Sequence, residues 1–374
     1  MKRISGIACT AALFFLVASA SAGEPTPDLS EQAPYRPGPN DAITDVPGVK
    51  VGHYTHTEGT MRGVTVVIPG ETGGTCGVEV RGSNPGTLNL DTFDPVNIGE
   101  ECDAIVLTGG SLFGLATVPG VMDYLFERGR GVRTRAGVIP VVPAAVIFDL
   151  PVGDPNIHPK PEWGYKAAES AASGPVAQGN VGVGAGGTTG KLPGAVRLKG
   201  GLGTASVALP EGVVVGALVV LNAVGDLVHP ETGEFYAVAG GFDRVPYRHR
   251  FTIPPPEPSP RPGENTTLAV IATNAKLDKT QLTKVAQLAH DGLARAIRPV
   301  HTMLDGDTIF VVSVGWDERV EMQVRYPWEA VDRIGSAGAD TLVRAILKAM
   351  EAADSIPDWP SYRDWKKAQA VGHR

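Results

Sequence analysis

An α/β protein is expected from this chain. Short apolar runs of strand length recur between glycine and proline clusters, and segments with apolar residues at helical spacing are interspersed with them. A hydrophobic content of 43% with 20% charged residues suits a packed core rather than disorder or a fibre. The 374 residues accommodate two domains or one large one. Gly 47 and Pro 31 occur without a collagen-like period, so many tight turns are expected. Lys and Arg total 33 against 40 Asp and Glu, giving a net charge of −7. No basic run interleaved with aromatics is present, which makes nucleic acid a poor candidate partner.

The N-terminus reads Met1-Lys2-Arg3, an apolar stretch to Val17, then Ala20-Ser21-Ala22 before Gly23. A basic start, a short apolar segment and an A-x-A site are the marks of a cleaved signal peptide over residues 1–22, hence export to a periplasmic or external compartment. No later run is long and apolar enough for a membrane span. Residues 23–40 carry Pro25, Pro27, Pro34, Pro37 and Pro39 and read as an extended arm. Cys9 leaves with the signal. Cys76 and Cys102 remain, either as one disulfide or as two buried thiols, and no metal-ligand spacing involves them.

Buried strands are expected at Val64 to Ile68, Ala104 to Leu107 and Val138 to Val142. Ser111 to Arg128 has helical spacing at Leu112, Leu115, Val118, Val121 and Leu125, with Pro119 set to kink or split it. Tyr165 to Ser173 is a short Ala-rich helix. Thr204 to Leu209 and Val213 to Leu221 are further strands. Ile253 to Glu264 then holds six prolines, a composition incompatible with a ladder or helix interior, so residues 253–264 form a stiff exposed connector. Thr267 to Ala272 follows as a central strand. Asp278 opens a helix with Gln281 in the capping-box position, its apolar face made by Leu282, Val285, Ala286, Ala289, Leu293 and Ile297. Ile309 to Val314 supplies another strand after the Asp305-Gly306-Asp307 turn.

Generic motifs carry little. Gly182, Gly184 and Gly187 fit a dinucleotide fingerprint without the amphipathic helix that must follow it. Gly190-Lys191 lacks the first glycine and the hydroxyl of a P-loop. Gly109-Gly110-Ser111-Leu112-Phe113 has a bulky residue where a serine elbow needs its last glycine. Asn265-Thr266, between the connector and a buried strand, is more informative. Scission there would give Thr266 a hydroxyl and a free α-amine on adjacent carbons, with the amine titrating near neutrality, so that one residue supplies nucleophile and base. Spacing alone favours the plainer reading, in which Asn-Thr merely turns a loop into a strand.

Several segments together resemble the self-processing aminopeptidase family of L-aminopeptidase/D-esterase, β-peptidyl aminopeptidase and nylon-oligomer endohydrolase. They are Asn40 to His53, Arg81-Gly82-Ser83-Asn84-Pro85-Gly86-Thr87, Leu107 to Leu115, Asn265 to Ala275, Ala289 to His301 and Asp305-Gly306-Asp307-Thr308. The resemblance runs from about residue 40 to 315. It implies a four-layer αββα sandwich of the N-terminal-nucleophile type, a single catalytic domain autoprocessed between Asn265 and Thr266. The α chain would span 41–265 and the β chain 266–374.

The resemblance assigns Thr266 as nucleophile and Asn222 as an oxyanion donor, a residue that would otherwise cap a strand end. Lys191 matches a lysine of the nylon-oligomer relative and would keep the Thr266 amine neutral, or else is a solvated loop lysine. Asp305 and Asp307 would orient the hydroxyl and amine and accept protons. Gly109, Gly110 and Ser111 would line the substrate pocket. Phe148 stands where some β-peptide-cleaving members carry tyrosine, which leaves β-peptide preference open. His290 and His301 have no implied catalytic role and read as structural. No metal or organic cofactor is implied. The expected activity is hydrolysis of amide bonds in small peptides or amino-acid amides by a homo-oligomer of processed heterodimers. Alternatives are an ω-amino-acid oligomer endohydrolase, an acyl transferase on the same scaffold, and a secreted ligand-binding module.

Overall fold

The structure is a computed structural model that describes residues 36–238, 264–314 and 319–372. The expected signal peptide, most of the arm and the proline-rich connector up to residue 263 lie outside the described residues. In chain order the strands are β1 (Lys50–His56), β2 (Arg62–Ile68), β3 (Gly74–Val80), β4 (Thr87–Leu88), β5 (Glu101–Cys102), β6 (Ile105–Thr108), β7 (Val132–Thr134), β8 (Gly137–Ile139), β9 (Ala144–Val146), β10 (Thr188–Thr189), β11 (Leu198–Lys199), β12 (Leu202–Ala208), β13 (Val214–Asn222), β14 (Thr266–Thr273) and β15 (Thr308–Ser313). The helices are α1 (Val118–Phe126), α2 (Pro161–Glu169), α3 (Lys279–Ala296), α4 (Pro327–Ala352) and α5 (Tyr362–Gly372).

Two sheets dominate. One has the order β1-β2-β6-β9-β4, the other β12-β13-β14-β15-β3-β5. Strands β14 and β15 run parallel, joined through α3, while β15 is antiparallel to β3. The core explains why these strands read as unbroken apolar runs: both faces are covered. Along β13, Val215, Ala217, Val219 and Leu221 face the cluster that contains Leu282, Val285, Ala286 and Leu293 of α3 and Ile334, Leu342 and Ile346 of α4. The intervening Leu218 and Val220 face the other way, packing with Leu268, Val270 and Phe310 against Val67, Ile105 and Leu107 of the first sheet. On the far face of that sheet, Val64, Val66 and Val106 meet Val118, Val121, Leu125 and Trp163 of α1 and α2. The packing order is therefore helix pair, sheet, sheet, helix pair.

Several expectations need correction. Ser111 to Arg128 is not one helix: a 3₁₀ segment Ser111–Thr117 precedes α1, and Pro119 sits at the start of α1, where a missing N–H costs nothing. The Ala-rich helix begins earlier, at Pro161, and ends at Glu169. Val138 to Val142 is not a buried strand. Its first residues belong to the largely exposed β7–β8 hairpin, and Pro140 and Pro143 keep the remainder out of a ladder, so the buried strand is Ala144–Val146. Helix α3 matches its expected cap: the Asp278 carboxylate accepts from Gln281 N–H at 2.8 Å and the Gln281 side chain accepts from Asp278 N–H at 2.9 Å. Cys76 and Cys102 are both buried free thiols. Among the described residues no helix is long and apolar enough to cross a membrane.

Candidate active site

The site forms where β13 ends and β14 begins. Their register sets Asn222 opposite Thr266, so the last residue of one strand faces the first of the other. Asn265, fully buried, makes a parallel bridge with Asp305 just before β14. Its carbonyl oxygen accepts from the Gly306 N–H at 2.9 Å and also from the Thr266 hydroxyl. The hydroxyl thus lies against the carbonyl of the bond on its own N-terminal side. Thr266 is only 4% exposed.

Asp305-Gly306-Asp307 is a fixed turn. The Arg81 and Gly82 N–H groups donate to the Asp307 carbonyl at 3.0 and 3.2 Å, and Asn84 N–H donates to the Asp305 carbonyl at 3.0 Å. Gly82 allows this approach, since a Cβ there would lie 2.2 Å from the Asp307 nitrogen. Asp307 accepts from the Thr267 N–H at 2.6 Å through Oδ1, and from the His301 N–H and Nδ1 at 3.1 and 2.8 Å through Oδ2. Asp305 accepts from the Val224 N–H at 3.2 Å, and from the Thr302 N–H and hydroxyl at 3.2 and 2.5 Å. Both carboxylates therefore grip the turn and the backbone flanking the two strands, while the Thr266 hydroxyl points to the Asn265 carbonyl. Burial, followed by the charge of Asp307, pushes Asp305 up to about 6.

Asn222 is fully buried, and both ends of its amide are engaged. Oδ1 accepts from Thr188 N–H at 3.2 Å, the Thr188 hydroxyl at 3.3 Å and Lys191 Nζ at 2.8 Å; Nδ2 donates to the Phe148 carbonyl at 3.0 Å and the Glu264 carbonyl at 3.5 Å. Lys191 Nζ also donates to the Asn222 carbonyl at 3.1 Å. Desolvation pulls Lys191 down to about 7, against the opposing attraction of Asp305, Glu264 and Asp149. It is therefore a held lysine, not a solvated loop cation.

The glycine loop joins the site through Asp149. Gly110 N–H donates to Asp149 Oδ1 at 2.7 Å and Ser111 N–H to the Ile147 carbonyl at 2.9 Å, with both Gly110 and Ser111 at positive φ. Asp149 is paired at 2.9 Å with Arg62, both side chains fully buried. Residues 147–149 thus connect Gly110 and Ser111 to Asn222, and Gly109 donates its N–H to Gly63 O at 2.9 Å. Phe148 enters through its backbone carbonyl. His290 is a buried neighbour: its Nε2 lies 3.2 Å from the Glu79 carbonyl and its ring meets His301 edge-on at 4.7 Å. Burial pulls its pKa down to about 3. Reasoning from residue types overlooked the Gly306 N–H, Thr188, Thr302, Arg62 and Asp149. Main-chain donors leave no trace in composition, and the Arg62–Asp149 pair spans 87 positions.

Residues 41–359 match the sequence profile of peptidase family S58. An uncharacterized aminopeptidase of Mycobacterium leprae is 42% identical over 355 residues, covering 87% of this chain and 94% of that protein. A 6-aminohexanoate-oligomer endohydrolase of Paenarthrobacter ureafaciens is 30% identical, covering 78% and 80%. Among solved structures, the L-aminopeptidase D-Ala-esterase/amidase of Ochrobactrum anthropi, described as a variant of the Ntn-hydrolase fold, aligns with TM-score 0.65 at 25% identity over 90% of this chain and 94% of that one. A Burkholderia β-aminopeptidase aligns with TM-score 0.64 at 25% identity, over 91% and 96%.

Proposed function

Because the chain belongs to peptidase family S58 and is an aminopeptidase of that family, we propose that it cleaves itself between Asn265 and Thr266 and then hydrolyses amide bonds of small peptides or amino-acid amides through Thr266. The observation that carries this reading is the double contact on the Asn265 carbonyl, from the Thr266 hydroxyl and the Gly306 N–H. On this reading the hydroxyl attacks the adjacent carbonyl carbon through a five-membered ring. Collapse of that adduct to an ester breaks the carbon–nitrogen bond and frees the Thr266 amine, water then hydrolyses the ester to return the hydroxyl, and the amine serves as base for that hydroxyl. Lys191 and the Asp305/Asp307 turn set the electrostatics around that amine, and the 110–111 loop forms one wall for the substrate. On this reading the α and β chains are residues 41–265 and 266–374 of one catalytic domain, exported after loss of residues 1–22 and assembled as a homo-oligomer.

Intact mass measurement of wild type and Thr266→Ala tests the mechanism. Wild type should give two fragments meeting at residue 265/266, and the variant a single uncleaved, inactive chain. An uncleaved wild type that turns over amino-acid amides at full rate would refute it. A second reading, endohydrolysis of ω-amino-acid oligomers, draws on the 30% identity to the 6-aminohexanoate-oligomer enzyme and on the Lys191–Asn222 contact. Product analysis on 6-aminohexanoate oligomers and on L-, D- and β-amino-acid amides separates the two.

A further inference from the structure

In the uncleaved chain the groups suited to stabilising an oxyanion are not interchangeable. The Asn265 carbonyl oxygen, on which negative charge develops during scission, is held by the Gly306 N–H at 2.9 Å. The amide NH₂ of Asn222 is directed elsewhere, to the carbonyls of Phe148 at 3.0 Å and Glu264 at 3.5 Å. Glu264 belongs to the segment that scission releases from Thr266. Gly306 is also hemmed in: a Cβ there would lie 2.8 Å from the Asn84 carbonyl oxygen and 2.9 Å from Thr266 Oγ1. Its N–H is fixed by the same 305–307 turn that Gly82 and Asn84 brace from behind.

Resting on the self-cleavage reading, we propose that scission and turnover use different oxyanion donors. The Gly306 main-chain N–H serves the self-cleavage step, and Asn222 Nδ2 becomes the substrate's donor only after residues 264 and 265 withdraw. In scission, Thr266 Oγ bonds to the Asn265 carbonyl carbon and its proton passes to the Thr266 nitrogen. The tetrahedral oxyanion sits on the Asn265 oxygen opposite Gly306. Collapse breaks the carbon–nitrogen bond, leaving an Asn265 ester of Thr266 and a free amine, and one water then returns the threonine hydroxyl and an Asn265 carboxylate. In turnover the acyl group comes from substrate, whose carbonyl oxygen can reach the amide hydrogens that the Glu264 carbonyl had occupied.

The test separates the two rates. Scission is followed by pulse-labelled cell-free synthesis and gel analysis, and turnover by hydrolysis of an amino-acid p-nitroanilide by processed protein. Asn222→Asp retains an acceptor for Thr188 and Lys191 but removes the donor. It should process within about threefold of wild type while kcat falls roughly 10²-fold, the size expected for one oxyanion donor. Replacement of Gly306 by glycolate through nonsense suppression exchanges its N–H for oxygen, and should slow scission by about the same factor. If Asn222→Asp folds poorly, Asn222→Ala, which also lacks the donor, read in the same assay supplies the comparison. Equal slowing of scission and turnover in the Asn222 variants, or normal scission with glycolate at 306, would overturn the proposal. A wild type that never cleaves overturns the self-cleavage reading itself, a distinguishable result.

Discussion

Lys199 has no exposed surface, and its ammonium donates to the carbonyls of Gly184 and Gly200 at 2.9 Å each. Burial pulls its pKa from 10.5 down to about 7. Between those values the unfolded chain binds more protons than the folded one, so folding stability from this group rises with pH and is lost as pH falls through 7. At about 1.4 kcal/mol per unit the effect is on the order of 5 kcal/mol. Thermal unfolding of wild type and Lys199→Met from pH 7 to 10 should show wild type gaining on the variant as pH increases; parallel curves would contradict the buried cation. At this scale residue chemistry drew attention to Thr266, and only the family resemblance drew it to Asn222 and Lys191. Neither exposed what aims them. The Gly306 N–H and the Phe148 carbonyl are groups every residue carries, and their placement comes from pairing between segments far apart in the chain.

Strands β13, β14 and β15 were legible because burial on both faces leaves them almost wholly apolar, and α3 because its cap and stripe agree. The long helix α4 was not marked from sequence, although Val331, Ile334, Leu342, Ile346 and Met350 recur on its buried face at helical spacing. Between them that face carries small residues, Gly335, Ala337, Gly338, Ala339, Ala345 and Ala349. That smallness permits close approach to the sheet: a Cβ on Gly203 of β12 would lie 2.1 Å from the Ala345 carbonyl oxygen. Gly203→Ala should therefore destabilise by about 1–3 kcal/mol, as overpacking against backbone does, measurable as a lowered midpoint in urea. The β7–β8 region misled in the opposite direction, since an apolar run crossed by prolines lies in an exposed ribbon.

Across the described body as a whole, the Asn222 amide at the end of β13 links the second sheet to the Phe148 carbonyl just after β9 of the first, in addition to their shared core. Arg62, at the start of β2, holds Asp149 beside the loop that reaches Asn222. Arg62→Met would leave that carboxylate buried and uncompensated, a loss of about 3–5 kcal/mol. Differential scanning calorimetry should record a markedly lower transition temperature, and an unchanged one would contradict the buried pair. The order of the second sheet has a practical consequence. Strands β14 and β15, from one side of the Asn265–Thr266 bond, sit between β13 and β3, from the other. Two polypeptides made by cutting there would remain interleaved through two ladders. An affinity tag on the C-terminus should then recover both pieces in equimolar amounts from a native column, and only denaturant in the wash should part them.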